Sequence, residues 1–127
     1  MAEFDSDDFM SDFQALIECE SFSQDPASLA RSAQLVSRIG TGMLGAAPRI
    51  IETGTHPHVL WRFGAGPRKV VLIGHHDTVW PTGTLKDFPY SVKDGVVRGP
   101  GADDMKGGLL IALYALAQVR AELGSLD

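Results

Sequence analysis

Two short stretches of this 127-residue chain combine residue types that do chemistry. The first is Gly74-His75-His76-Asp77-Thr78-Val79, directly after the apolar run Val70-Val71-Leu72-Ile73. Imidazole nitrogen is a good zinc ligand, and a carboxylate beside a ligating histidine commonly orients its ring and fixes its tautomer. In an extended chain His75 and Asp77 point to one face and His76 to the other. His75 and Asp77 are therefore the functional pair, and His76 stands apart. The competing reading is a strand end whose polar residues turn to water.

The second stretch is Gly99-Pro100-Gly101-Ala102-Asp103-Asp104-Met105-Lys106-Gly107-Gly108. Its bland reading is a glycine-rich turn with an acidic helix cap. A phosphate cradle fails, because the lysine is followed by glycine rather than Ser or Thr. Two adjacent acids among four glycines exceed what one cap needs, and a carboxylate on a constrained turn suits a metal bridge.

Several elements must position these residues. Phe9, Phe13, Leu16 and Ile17 share one face of a helix expected over residues 7–18, capped by Ser6. Asp25 as cap and Pro26 at the first position open a second helix. Leu29, Ala33, Val36 and Ile39 form its buried stripe, and Gly40, Gly42 and Gly45 end it. Alternating patterns at 50–53, 59–63 and 69–73 predict strands, with turns at 54–57 and 64–67. The last of these strands is continuously apolar and is expected at the sheet centre. Asp94-Gly95 predicts a tight hairpin between 90–93 and 96–98. A largely buried helix over 106–123 follows, with Gly124 as its stop. These elements predict an α/β fold, a mixed sheet sandwiched between helices. In open α/β sheets ligands bind beyond the carboxyl ends of strands, which is where His75 falls.

Composition narrows the function classes. At 44% hydrophobic and 21% charged the chain is ordinary globular material. The net charge of −5 is local: the first 25 residues carry eight acids and no Lys or Arg. No basic stripe points to nucleic acid. The apolar run at 109–116 is far short of the roughly 18 residues a membrane span needs. The acidic opening from Met1 to Asp8 lacks the apolar core of a signal peptide. The lone Cys19 fits a reducing, cytoplasmic setting, and it reads as an inert thiol. His56 and His58 read as an exposed turn around Pro57. Trp61, Phe63 and Phe88 read as core or sheet cover, and Trp80 as either pocket lining or packing. Arg62 and Arg98 read as solvent-facing, with anion binding left open for both.

Taken together and in this order, the two motifs resemble those of the co-catalytic zinc exopeptidase and deacylase family. It includes glutamate carboxypeptidase, acetylornithine deacetylase, succinyl-diaminopimelate desuccinylase and the aminoacylases. The segment Trp80-Pro81-Thr82-Gly83-Thr84-Leu85 and the Gly-Pro-Gly at 99–101 look most like the glutamate carboxypeptidase branch. The resemblance covers residues 9–123 and is specific between His75 and Gly108. It implies that His75 ligates one zinc, that Asp77 orients His75, and that Asp104 bridges two zincs. It gives Asp103 no metal role and makes Asp104–Met105 a candidate cis peptide. It implies hydrolysis of the amide bond in a small peptide or N-acyl amino acid, by water activated on two zincs, with cobalt or manganese as substitutes. A glutamate would move the proton.

That glutamate, a further acid and a late histidine belong to the family's later sequence, as does its lid and dimerisation domain. The only acids after Asp104 are Glu122 and Asp127, and no His follows. The expectation is an incomplete catalytic domain over residues 1–127, inactive alone and without the family's homodimer. The alternative expectation is a non-catalytic fragment or partner-binding domain.

Overall fold

In the computed structural model, residues 4–126 are described. The expectations resting on Met1–Glu3 and on Asp127 lie outside them. Helix α1 spans Ser6–Glu18 and α2 spans Pro26–Leu44. Strands β1 (Arg49–Thr53) and β2 (His56–Leu60) pair antiparallel, with Arg49 opposite Leu60 and Thr53 opposite His56. Strands β3 (Ser91–Lys93) and β4 (Val96–Arg98) form a second antiparallel pair. Helix α3 spans Gly107–Leu123.

Local chemistry explains most boundaries. Asp5, not Ser6, caps α1: its Oδ1 accepts from the N–H groups of Asp7 and Asp8 at 2.9 and 3.1 Å. A carboxylate on an extended residue answers both the free N–H groups and the helix dipole. Asp25 caps α2 as expected, and Pro26 opens it. The helix does not stop at Gly40 or Gly42 but at Gly45, which takes φ 64°. Gly40 serves packing instead. A Cβ there would lie 2.4 Å from Cζ2 of Trp61, whose Nε1–H donates to the Ala46 carbonyl at 2.9 Å. The Asp94-Gly95 hairpin is present, both residues having positive φ (54° and 73°), as a tight type I′ turn requires.

The core lies where α1, α2 and α3 meet. Phe13, Leu16, Ile17, Leu35, Val36, Ile39, Leu44, Leu110 and Leu113 fill it.

The α/β class stands, as three helices with two small antiparallel hairpins rather than one mixed sheet. Strand β2 begins at His56, earlier than its alternation indicated, so His56 and His58 lie on a strand and not in a turn. The central strand at 69–73 does not form. Val70 and Ile73 are 90% and 88% exposed, and residues 69–75 make no strand pairing among the described residues. Their continuous apolarity marks a segment suited to a covered strand, but no described neighbour offers it a ladder. Helix α3 is correspondingly less buried than its composition implied. Leu110 and Leu113 are buried, while Ile111 and Leu123 face outward. No helix among the described residues is long and apolar enough to cross a membrane.

Candidate metal and catalytic site

Four segments build the site: residues 74–79, the turn between α1 and α2, the loop before β3, and the turn leading into α3. Thr78 is docked to the first turn by a parallel bridge. Its N–H donates to the Ser21 carbonyl at 2.8 Å, and Ser23 N–H donates back to the Thr78 carbonyl at 2.9 Å. The turn into α3 spans Ala102–Lys106. It is closed by Lys106 N–H donating to the Gly101 carbonyl at 3.0 Å. Inside it Asp104 and Met105 leave helical geometry, and their peptide bond is cis, as the resemblance implied. Gly101 (φ 72°) is required, since a Cβ there would meet Thr78 Cγ2 at 2.3 Å.

This framework brings together the three expected site residues. His75 Nε2 lies 2.9 Å from Asp104 Oδ1. His75 Nδ1 lies 2.9 Å from the Asp77 carbonyl and 3.3 Å from Asp77 Oδ1. A carbonyl only accepts, so Nδ1 donates to Asp77, and Nε2 is the ring nitrogen turned to Asp104. Partial burial alone lowers the His75 pKa. The hydrogen bonds to the Asp77 carbonyl and to Asp104 outweigh it, and the net shift is upward. Partial burial likewise opposes the Asp77 charge. The Ser23 hydroxyl, 2.7 Å from Oδ2, the residue's own backbone N–H and the nearby His75 outweigh it and hold that carboxyl below its ordinary value.

His76 points away, as the alternation predicts. Its Nδ1 meets Ser32 Oγ at 3.0 Å and its Nε2–H donates to the Pro57 carbonyl at 3.1 Å. Burial pushes its pKa down. Asp103 is exposed and lines the cavity.

An open cavity of about 430 Å³ faces these groups. Trp80 and Phe88 form one wall, their rings 5.4 Å apart. Trp80 thus both lines the pocket and packs on Phe88. Arg98 lines the cavity too, with Nη1 donating to the Lys93 and Val96 carbonyls at 3.4 Å each.

Two contributors were not visible in the sequence. Ser23 reaches Asp77 across 54 residues, and no local pattern marks such a contact. Lys106 is buried, and its Nζ donates to the carbonyls of Leu16 (2.7 Å) and Cys19 (2.9 Å) at the end of α1. Burial brings its pKa down to about 8. Its place next to the acidic turn was the only signal.

His75 and Asp104 present one nitrogen and one oxygen donor to a common point, a mixed set that suits zinc. Structural and catalytic zinc sites draw three or four ligands from protein. Among the described residues no group of three or more His, Cys, Asp or Glu side chains is arranged to hold a metal ion. The pair therefore fits part of a zinc site.

The profile of Peptidase family M20/M25/M40 matches residues 71–127, a span that holds His75, Asp77 and Asp104. The chain is similar to members of this family. It is 33% identical over 98 residues to the succinyl-diaminopimelate desuccinylase of Xanthomonas campestris pv. campestris (strain B100), covering 73% of this chain and 25% of that one. It is 35% identical over 109 residues to the enzyme of the same name from Methylorubrum extorquens (strain PA1), covering 80% and 28%. Carboxypeptidase G2 of Pseudomonas sp. (strain RS-16) is 38% identical over 53 residues, covering 42% and 13%. The chain thus spans about a quarter or less of the M20/M25/M40 relatives it matches.

Proposed function

We propose that this chain contributes part of the active site of a zinc-dependent amide hydrolase. Its substrates are peptide-linked or N-acylated amino acids, with a specificity like that of glutamate carboxypeptidases. The observation that carries the proposal is the 2.9 Å approach of His75 Nε2 to Asp104 Oδ1 at the edge of an open cavity. The similarity to this family and the names of the matched relatives support the reaction class.

In this reading His75 and Asp104 hold metal, and Asp77 fixes the His75 ring by facing Nδ1. Two zincs, when bound, supply Lewis-acid polarisation of the amide carbonyl and an activated water; cobalt or manganese can replace them. The cavity beside Trp80 and Phe88 receives the substrate. Glu122 does not supply the proton-transferring glutamate, since it is exposed near the far end of α3 and lines no part of the cavity. We accordingly read residues 1–127 as part of a catalytic domain, inactive by themselves. A single free cysteine supports a cytoplasmic setting.

The test joins this chain to the family's remaining donors and measures N-acyl amino acid hydrolysis. His75→Ala and Asp104→Ala are each expected to abolish turnover; activity unchanged by either refutes the proposal. A second reading, a non-catalytic chain that binds a partner, is favoured by the two-donor count and by the exposed run at 70–73. Metal analysis separates the two: two tightly held zincs in the isolated chain would contradict it.

A further inference from the structure

Ser23 sits in the turn between α1 and α2, and its Oγ lies 2.7 Å from Asp77 Oδ2 and 2.9 Å from the Thr78 carbonyl. A hydroxyl has one proton to give. The Thr78 carbonyl already receives the Ser23 N–H at 2.9 Å. The carboxylate is the stronger acceptor, and 2.7 Å is the length of a charge-assisted O–H···O⁻ bond. The proton therefore goes to Asp77. With Oδ2 occupied, Oδ1 is left 3.3 Å from His75 Nδ1, beside the Asp77 carbonyl that receives the Nδ1 hydrogen bond at 2.9 Å, and Nε2 is left facing Asp104.

The same turn grips the following loop at other points. Glu20 Oε1 accepts from Gly83 N–H (2.8 Å) and Leu85 N–H (3.2 Å). Asp25 Oδ2 accepts from the Thr82 hydroxyl at 2.8 Å. Glu20 and Asp25 hold the loop's backbone and rim; Ser23 is the member of the turn that reaches a site side chain.

We infer that Ser23 is a positioning residue for the His75–Asp104 metal site, acting through Asp77; this rests on the metal reading above. Partners one step removed from a metal ligand typically change affinity by 10–100-fold when lost.

The test is a zinc chloride titration of the chain, followed through the His75 ring resonances. Ser23→Ala is expected to weaken zinc binding by about tenfold, while Ser23→Thr, which keeps the hydroxyl, stays near wild type. In an Asp77→Asn background Ser23→Ala is expected to have no further effect, because the two act as one unit. Equal affinity of Ser23→Ala and wild type, or additive losses in the double variant, overturns the inference and leaves the metal site standing. A merely structural role is recognised by lower thermal stability at unchanged zinc affinity, and it too overturns the inference. Should Ser23→Ala not fold, Ser23→Cys, a far weaker donor of similar shape, carries the same expectation. If the wild-type His75 ring shows no saturable response to zinc, or His75→Ala binds zinc as wild type does, the site itself fails, and the inference with it.

Discussion

Single residues carry the site, and their effects can be tested singly. Lys106 holds the last carbonyls of α1 through two bonds from a buried ammonium. Lys106→Met keeps the buried stem and leaves those acceptors unpaired, at an expected cost of about 1–3 kcal/mol, read by urea denaturation. Asp25 titrates in the opposite setting, at the surface. The bond from the Thr82 hydroxyl, with those from Ser28 and Ala27, lowers its pKa from 3.8. A carboxyl lowered on folding adds stability above its unfolded pKa and loses it as pH falls through the folded value. Wild type should therefore exceed Asp25→Leu in stability at neutral pH, and the gap should narrow below pH 3.8. A gap constant with pH contradicts this. At this scale the sequence was most legible. The alternation in His75-His76-Asp77 predicts that His75 and Asp77 share a face and that His76 turns away, as they do, and the second motif singles out Asp104, which lies 2.9 Å from His75. Ser23 was not legible, because its contact spans 54 residues and depends on how α1 and α2 are joined.

Elements place those residues, and glycine shows how. Gly40→Ala raises helix propensity by about 1 kcal/mol but sets a methyl against the Trp61 ring. Overpacking of this kind typically costs about 1–3 kcal/mol, so a net loss of stability with altered tryptophan fluorescence is expected. Leu110 is fully buried between the helices, and Leu110→Ala is expected to cost about 2–5 kcal/mol in the same denaturation assay. Both helix starts and the Asp94-Gly95 turn were readable because caps and positive-φ turns are local chemistry. The end of α2 was not. Three glycines looked alike in sequence, and only the packing of Trp61 shows why the first lies inside the helix.

At the scale of the whole molecule, the run Val70–Ile73 behaves unlike the rest. Its pattern says covered strand, its surroundings say open water, and four exposed apolar residues without ladder partners form a template for association. Backbone amides at 70–73 should exchange quickly beside those of α2. Val70→Lys with Ile73→Lys should reduce self-association, measured by sedimentation, with little change in stability, since both side chains are about nine-tenths exposed. A strand's partners are long-range facts, which is why the hairpins were foreseeable and the central strand was misread.

The proposed function depends on His75 and Asp104 sharing one cation. The direct measurement is zinc titration of the isotope-labelled chain, watching the His75 ring and the Asp104 carboxyl carbon together. Both should shift along one binding curve, and Asp104→Asn should abolish the His75 response. A His75 shift that survives Asp104→Asn, or an Asp104 carboxyl that never moves, contradicts it.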